Sequence, residues 1–290
     1  MRPGWAAPLI GFLVEVNLAK PNQTSGEKGR RAYPRQTVSI AVLFDSDEES
    51  RRELGIRETE ATEYDRRYTE QHGPWFVRVE LAVLRAALAL KPTDVLADFG
   101  CGTGRITRAL APYCRGVVAI DRSRQSLEIL RKRAKAEGLA NISLVEADLT
   151  KAMNIHAKAT KAMCVQVLQH VLSVDGRQKV VENIGRSLVP GGRCAIVNEA
   201  YSVVRRIRGR PRDVNEGDAL SFHSFTSSEL RGLLNSVGLK TRRVLGCGVL
   251  YWTRYRLGPL ALTKLDEWAS FLPGADKLAK FSAVIGESPR

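Results

Sequence analysis

Residues 97–110 of the chain are ADFGCGTGRITRAL, and this stretch decides the fold. Gly100, Gly102 and Gly104 stand at alternate positions in it, and Asp98 precedes them. Glycine is costly at the end of a buried strand unless the backbone turns sharply there or a ligand approaches it closely. The stretch therefore predicts a strand that ends in a tight, glycine-lined turn beside a ligand.

Short apolar runs alternate with amphipathic segments along the chain around this turn. The runs include GVVAID (116–121) and RCAIVNEA (193–200), and the segments between such runs have apolar residues at helical spacing. Nearly continuous apolar strands that alternate with helices are typical of a parallel sheet covered on both faces. We predict an α/β, doubly wound fold whose ligands lie outside the carboxyl ends of the strands.

A glycine turn after the first strand of such a sheet is typical of nucleotide binding, and a dinucleotide is the first candidate. Its fingerprint is GxGxxG or GxGxxA. The sixth position is Arg105 when counted from Gly100 and Thr107 when counted from Gly102, so neither frame fits. The pattern present is D-x-G-x-G-x-G, and binding of NAD or FAD becomes the less favoured interpretation.

Motifs in order along the chain resemble those of class I S-adenosylmethionine-dependent methyltransferases. LADFGCGTG (96–104) resembles the first motif of that family. Asp121, in VVAIDRS, resembles the acid that binds the ribose hydroxyls, and Asp148, in VEADL, resembles the acid near the adenine amine. The alternatives are a strand-end acid that caps the next helix for Asp121 and a turn acid for Asp148. Further segments that resemble the family are QVLQHV (166–171), LVPGG (188–192), FTSSELRGLLNSVGL (225–239) and FSAVIGES (281–288).

The resemblance implies a fold and a cofactor. The implied fold is a Rossmann-like sheet of seven strands in the order 3-2-1-4-5-7-6, with the last strand antiparallel and helices on both faces. The implied cofactor is S-adenosyl-L-methionine, without a metal. For the tyrosine ahead of the sheet, core packing is the alternative to cofactor contact. The implied cofactor-binding residues are Tyr68, Asp98, Gly100, Cys101, Gly102, Gly104, Asp121, Arg122, Asp148, Leu149 and Gln166.

Three residues are candidates for general-base catalysis. A base is needed only when the acceptor must lose a proton, since positioning and water exclusion supply the rest. Glu199 falls at the end of the fifth predicted strand, His170 follows the fourth, and His223 precedes the late helix. Histidine titrates near neutrality, which suits this role. The alternatives are packing under the cofactor for His170 and an ordinary loop position for His223.

An arginine-rich segment follows the fifth strand on the substrate side. RRIRGRPR (205–212) contains five arginines in eight residues. Because arginine recognises phosphate and carboxylate groups well, we predict that Arg205, Arg206 and Arg208, with Tyr201, bind an anionic acceptor. A solvated loop is the alternative.

The chain divides into an extension and one domain. Residues 1–60 are predicted to be a partly flexible N-terminal extension with a β-like run at 37–44. Residues 61–290 form the predicted methyltransferase domain, with substrate-side insertions at about 201–222 and 248–279. Four interpretations of the second insertion remain: a substrate lid, a lipid-facing surface, a dimer contact, or a helix packed on the sheet edge.

Composition limits the class of protein. The chain has 290 residues, 44% of them hydrophobic, and no apolar run of about 18 residues that would span a membrane. Its five cysteines have no paired or zinc-binding spacing, which predicts reduced thiols and a cytoplasmic location. A net charge of +14 favours an anionic partner, which includes nucleic acid, a membrane surface and a phosphorylated substrate.

The sequence favours methyl transfer to an oxygen or nitrogen of a small molecule, with anionic, glycan-linked and lipid-linked acceptors included. The predicted insertions border the substrate side, and the fourth strand end lacks the [DN]PP[YF] pattern of enzymes that methylate amino groups of bases or of glutamine. The alternatives are an RNA or protein methyltransferase and a non-catalytic subunit of this fold. Peripheral membrane contact and oligomeric state stay open.

Overall fold

A computed structural model describes most of the chain from Ala61 onward. The predicted N-terminal extension, including its β-like run, lies outside the described residues except at 54, 55 and 59, and part of each insertion also lies outside them. The described residues are 54–55, 59, 61–153, 159–214, 221–253 and 259–290.

Helices and strands alternate through the described residues. The helices are α1 (Tyr64–His72), α2 (Pro74–Leu88), α3 (Arg105–Leu110), α4 (Arg124–Ala136), α5 (Val174–Ser187), α6 (Val203–Ile207), α7 (Ser227–Ser236) and α8 (Pro259–Ser270). The strands are β1 (Val95–Phe99), β2 (Gly116–Asp121), β3 (Ile142–Glu146), β4 (Ala159–Val165), β5 (Leu188–Glu199), β6 (Asp213–Val214), β7 (Phe222–His223), β8 (Lys240–Cys247) and β9 (Phe281–Glu287).

One seven-stranded sheet forms the centre, in the order β3-β2-β1-β4-β5-β9-β8. Strands β1 to β5 are parallel, whereas β9 runs antiparallel to both of its neighbours. Because β6 and β7 form a separate two-stranded pair, β8 and β9 are the sixth and seventh strands of the large sheet. The predicted order and the antiparallel last strand are therefore confirmed.

Local sequence signals set the ends of the helices beside the site. Thr226 and Glu229 form a capping box at the start of α7, in which the Thr226 hydroxyl accepts from the Glu229 amide at 3.3 Å. Ser123 caps α4 by accepting from the Ser126 amide at 3.1 Å. Such caps satisfy amides that a helix start leaves unpaired, so both helices begin at fixed positions next to the carboxyl ends of the strands.

Apolar layers cover both faces of the sheet. Val197 of β5 packs in the layer formed with α1, α2 and α8, and its neighbour Ile196 packs in the layer formed with α5 and α7. Successive side chains of a strand point to opposite faces. The next two residues, Asn198 and Glu199, therefore bring polar groups to both faces at the carboxyl end of β5.

The part of the chain that the structure describes contains no helix that is both long and apolar enough to cross a membrane.

Candidate active site

The glycine turn joins the end of β1 to the start of α3 and is tied to β2. The Gly100 and Cys101 amides donate to the Ile120 carbonyl at 2.8 and 3.0 Å. The Gly102 amide donates to Asp121 Oδ2 at 2.7 Å. The turn and the end of β2 are thus held together at the carboxyl edge of the sheet.

Two glycines of this turn meet different surroundings. Both have left-handed backbones, with φ of +51° at Gly102 and +81° at Gly104. A Cβ at Gly104 would overlap the Leu130 side chain of α4, whereas a Cβ at Gly102 would meet no protein atom within 4 Å. Gly104 is therefore required by packing, and Gly102 leaves the backbone open to a ligand.

Asp121 lies directly against the glycine turn. Its Oδ2 accepts from the Gly102 amide, and its Oδ1 accepts from the Ser123 amide at 2.9 Å. Two carboxylate oxygens offer about four acceptor positions, so Asp121 retains acceptor capacity for the two hydroxyls of a ribose. Arg122 follows it and is half-buried.

Asp98 is buried beneath the turn rather than open to it. Its Oδ2 accepts from the Thr107 hydroxyl of α3 at 2.6 Å. Burial raises the pKa of the Asp98 carboxyl to about 7, although the Thr107 hydrogen bond acts in the opposite direction. The structure places Asp98 where it fixes α3 below the glycines.

The end of β3 carries the next pair of predicted residues. Asp148 Oδ1 accepts from the amide and hydroxyl of Thr150, at 2.9 and 2.7 Å, which shapes the turn after β3. The Leu149 carbonyl accepts from the Asn183 amide group at 2.9 Å. Both residues lie beside Asp121, because the Ala147 amide donates to the Asp121 carbonyl at 2.9 Å.

A buried polar network links Tyr68 and Gln166 over the end of β4. The Gln166 amide group donates to the Tyr68 hydroxyl at 2.6 Å and to Glu80 Oε1 at 2.9 Å. Arg105 pairs with Glu80 Oε2 at 2.6 Å and lies 3.9 Å above the Tyr68 ring. Burial, followed by the nearby Glu80 charge, raises the pKa of Tyr68 well above its usual value, so its hydroxyl is neutral. The network joins α1, α2, α3 and β4.

Sequence reasoning missed Glu80 and Arg105. Glu80 is 1% exposed and lies on the buried face of α2, among Val79, Val83 and Leu84. A lone acid on the apolar face of an amphipathic helix is a signal that it has a charged partner. That signal was present in the sequence, but it does not identify Arg105 as the partner.

Helix α1 is also attached on both sides of this network. Asp65 accepts from the Thr103 hydroxyl of the glycine turn and from Arg133 of α4, both at 2.6 Å. His72 Nδ1 lies 3.0 Å from the Tyr251 hydroxyl of the second insertion. Asp65 and His72 are two turns apart, so α1 crosses the carboxyl edge of the sheet from the glycine turn to β9.

The end of β5 carries a buried ion cluster. Glu199 Oε1 accepts from the Arg205 guanidinium and from Lys280 Nζ, the latter at 2.8 Å. The Arg205 guanidinium also donates twice to the Pro211 carbonyl, at 3.0 and 2.8 Å. Arg205 therefore closes the arginine-rich loop onto β5 and does not project toward solvent.

The other predicted substrate residues lie around this loop. Arg206 is exposed, and the exposed Arg208 lies 4.8 Å from the Trp252 ring centre. Tyr201 is half-buried, and Arg212 lies 5.8 Å above its ring while it pairs with Glu229. The structure brings Tyr201 to the end of β5 and leaves Arg206 and Arg208 at the surface.

His170 has both ring nitrogens close to polar groups. Nδ1 lies 3.2 Å from the Ser221 carbonyl, which only accepts, so Nδ1 carries the hydrogen. Nε2 lies 3.3 Å from the Gln169 amide nitrogen and accepts from it. His170 therefore ties the short helix after β4 to the segment before β7.

His223 has one paired and one unpaired nitrogen. Nδ1 lies 2.6 Å from Asp213 Oδ1, and this hydrogen bond is the main reason that the pKa of Asp213 is below its usual value. Nε2 is buried, lies 3.9 Å from Glu229 Oε1, and has no hydrogen-bond partner among the described residues. A carboxylate that holds Nδ1–H leaves Nε2 as a proton acceptor.

The structure thus gathers the predicted residues into two neighbouring groups. The glycine turn, Asp121, Asp148, Tyr68 and Gln166 surround the carboxyl ends of β1 to β4. Glu199, Tyr201, His170 and His223 lie around the ends of β4 and β5 and the segments packed against them.

Comparisons with known proteins agree with this geometry. A family model described as a methyltransferase domain matches residues 96–192. A probable cobalt-precorrin-6B C(15)-methyltransferase (decarboxylating) of Methanothermobacter thermautotrophicus is 31% identical over 152 residues, covering 49% of this chain and 73% of that enzyme. The mitochondrial ribosomal RNA small subunit methyltransferase of Arabidopsis thaliana is 28% identical over 150 residues. That match covers 49% of this chain, but the chain spans only 39% of the plant enzyme's length.

A solved structure extends the likeness to most of the chain. The 1,6-didemethyltoxoflavin-N1-methyltransferase of Burkholderia thailandensis has a TM-score of 0.58 at 16% identity, covering 86% of this chain and 94% of that one. It was solved with 1,6-didemethyltoxoflavin and S-adenosylhomocysteine bound. This chain belongs to the class I S-adenosylmethionine-dependent methyltransferases.

The residues present fit the cofactor of that family. Because no protein atom lies on the open side of Gly102, a ligand can contact the backbone there. Asp121 lies beside it and can still accept hydrogen bonds from the two hydroxyls of a ribose. The glycine turn, Asp121 and the end of β3 would hold the nucleoside, and α1 with Tyr68 would cover it.

Asp98→Asn should remove a pH dependence of stability. Between pH 4 and 7 the buried Asp98 carboxyl keeps a proton that the unfolded chain has released, since its pKa is about 7. The free energy of unfolding of the wild type should therefore fall as pH rises, by at most ~1.4 kcal/mol per pH unit from this group. Urea unfolding of both proteins should show the variant gaining relative stability up to pH 7 and a constant difference above it. A constant difference at every pH would contradict the raised pKa.

Gly102→Ala should weaken cofactor binding more than it weakens the fold. A methyl group there would occupy the open side of the glycine turn, so we expect S-adenosylhomocysteine to bind at least ~10-fold more weakly in calorimetry. The left-handed backbone adds a strain of about 1–2 kcal/mol.

Gly138→Ala is the matched control for that variant. Gly138 follows α4, has φ of +68°, and also leaves space for a Cβ. It should lose similar stability and bind S-adenosylhomocysteine as the wild type does. Equal affinities in the two variants would remove the glycine turn from the cofactor site.

Proposed function

We propose that this protein transfers a methyl group from S-adenosylmethionine to an oxygen or nitrogen of a small-molecule acceptor. The observation that carries the choice of acceptor is the folding of the arginine-rich loop. Arg205 is buried against Glu199, Arg212 pairs with Glu229, and Arg208 stacks on Trp252. Three of the five arginines at 205–212 thus make contacts within the chain, which favours a compact acceptor site over a broad phosphate-binding surface.

The relatives support the same choice. The archaeal relative is named for a cobalt-precorrin, and the Burkholderia enzyme was solved with a small acceptor bound. When bound, S-adenosylmethionine supplies a methyl group that is already activated on a sulfonium. The chain then needs to position the acceptor, exclude water and remove a proton where the acceptor carries one.

We assign cofactor contact to two parts of the site. Asp121 accepts from the ribose hydroxyls, and the backbone around Gly102 lies against the nucleoside, with Arg122, Asp148 and Leu149 at its adenine side. Tyr68 and Gln166 close the site at the end of β4. Because the hydroxyl of Tyr68 is already bonded to Glu80 and Gln166, its part is to shape the site through its ring.

We assign the general base to His223. Asp213 fixes the hydrogen on Nδ1, and the buried Nε2 then accepts a proton from the acceptor. The other two candidates have less accepting capacity, because Glu199 Oε1 is held by Arg205 and Lys280 and His170 Nε2 accepts from Gln169. Glu199 positions the acceptor loop, and His170 positions the segment before His223.

We assign Arg206, Arg208 and Tyr201 to the rim of the acceptor site, where the exposed guanidinium groups would attract an anionic acceptor. The five cysteines are free thiols, which supports a cytoplasmic location.

RNA is the second candidate acceptor. The net charge of +14 and the plant ribosomal RNA relative favour it. Phosphate contacts weaken steeply with salt, so binding of total RNA that falls by orders of magnitude between low and physiological salt would support this alternative.

A methyl-transfer screen tests the main proposal. Purified protein with deuteromethyl-labelled S-adenosylmethionine is incubated with a metabolite extract and, separately, with total RNA, and labelled products are detected by mass. We expect label in the metabolite fraction. Label in RNA alone would replace the small-molecule acceptor. A chain that fails to bind S-adenosylhomocysteine would instead be a non-catalytic subunit.

His223→Gln should lower kcat by about 10²–10⁴-fold with the acceptor found in that screen, since general-base catalysis is worth roughly that much. Asp213→Asn should lower it less, because the carboxylate acts only by fixing the imidazole. The comparison variant is His170→Gln, which should lower kcat less than His223→Gln does, because His170 acts only by positioning the segment before His223; circular dichroism checks that both variants are folded. A fully active His223→Gln variant would remove the base from the proposal.

A further inference from the structure

Helix α8, in the second insertion, has two apolar faces. Leu262 and Ala269 are buried against the rest of the domain. Leu272, two residues past the end of α8, is 40% exposed, and Leu265 and Trp268, three residues apart within α8, are 48% and 64% exposed. Residues at this spacing share one side of a helix, so a second apolar face of α8 points to solvent.

This face is the main concentration of exposed apolar side chains in the part of the chain that the structure describes. Leu278, which is 46% exposed, belongs to the same insertion. The remaining exposed large apolar residues are Tyr113, Leu172, Val174 and Ile207, which are spread over other elements. Scattered single residues need no explanation, whereas a concentrated apolar face marks an interaction site.

Exposed cations stand at both ends of the face. Lys264 lies one turn before Trp268 on α8. Arg243 of β8 is exposed, donates to the Phe271 carbonyl at 3.2 Å, and has its guanidinium 5.6 Å from the Phe271 ring centre. We call Leu265, Trp268 and Leu272, with Lys264 and Arg243, the α8 face. Tryptophan and leucine flanked by lysine and arginine are typical of helices that lie in the interface of an anionic bilayer.

We propose that the α8 face docks the protein on an anionic lipid surface. The net charge of +14 draws the protein to such a surface. The same charge opposes a second copy as the occupant, since a two-fold contact through this face would bring Lys264 and Arg243 against the cations of an identical face. Leu265, Trp268 and Leu272 then enter the headgroup region, and the cations meet lipid phosphates.

The α8 face is joined to the acceptor edge of the sheet. Asp266, on the buried side of α8, accepts from the Val249 and Leu250 amides at 2.8 and 3.3 Å. The Gly248 carbonyl accepts from the Lys280 amide at 3.0 Å, and Lys280 Nζ reaches Glu199 at the end of β5. Docking therefore holds the membrane beside the edge where the acceptor binds. The docking itself does not rest on methyl transfer.

Vesicle sedimentation tests the proposal without cofactor or acceptor. The full chain is mixed with phosphatidylcholine vesicles, with or without phosphatidylglycerol. We expect binding to the anionic vesicles that weakens with salt, and at least tenfold weaker binding for Leu265→Ser/Trp268→Ser/Leu272→Ser. Lys264→Gln/Arg243→Gln should bind more weakly and with less salt dependence. Circular dichroism checks that each variant is folded.

The matched control removes exposed apolar residues elsewhere. Val174 and Ile207 are 71% and 80% exposed and lie on α5 and α6. Val174→Ser/Ile207→Ser should bind vesicles as the wild type does. Brominated lipid should quench the fluorescence of the wild type, and Trp268→Phe should lose most of that quenching while it still binds.

Three outcomes would overturn the proposal. They are a wild type that does not bind anionic vesicles, a triple variant that binds them as well as the wild type, and a concentration-dependent dimer that the triple variant abolishes without any vesicle binding. The last result would assign the face to a second copy of the chain. Because none of these measurements uses S-adenosylmethionine, failure here leaves the proposed methyl transfer intact.

Discussion

The hydrogen bond from the Gly102 amide to the Asp121 carboxylate, 2.7 Å long, joins the glycine turn to the end of β2, the two parts of the proposed nucleoside site. Gly102 has a left-handed backbone, and a Cβ at this position would meet no protein atom within 4 Å. A hydrogen bond to an ionised carboxylate is stronger than one between neutral groups. The distance between the glycine turn and Asp121 is therefore fixed. Ser123 fixes the second carboxylate oxygen and starts α4. In the proposed site, this contact sets the distance between the glycine turn and the carboxylate that would bind the ribose.

The cover of the site depends on charges taken out of water. Glu80 and Arg105 are 1% and 13% exposed at their side chains, and the cost of desolvating such a pair roughly offsets its attraction. Its value lies in specificity, since Glu80 also bonds to Tyr68 and Gln166 and thereby fixes α1 on α2 and β4. Gln166 has φ of +59°, an uncommon conformation for a residue with a side chain. Strain of this kind is kept where surrounding contacts fix the geometry, as they do at functional sites.

The order of elements, the strand order and the cofactor class could be predicted from the sequence, because local patterns and one ordered set of motifs determine them. Pairings between distant residues could not. The sequence shows five arginines after β5, but not that Glu199 and the Pro211 carbonyl bury the first of them. It shows Asp65 in a helix, but not its contacts with Thr103 and Arg133. Which charged residues pair depends on how separate helices and strands pack against each other. The periodicity of apolar residues within one helix or strand does not contain that information.

The positive charge of the chain acts in two places with different effects. In the arginine-rich loop, Arg205 and Arg212 are paired with carboxylates of the same domain, whereas Arg206 and Arg208 stay exposed. At the α8 face, Lys264 and Arg243 are exposed beside apolar side chains. Part of the positive charge that would by itself suggest a nucleic-acid partner is thus used in ion pairs within the domain. At the α8 face the two cations lie beside tryptophan and leucine, a combination that suits lipid better than a phosphate backbone without apolar surface.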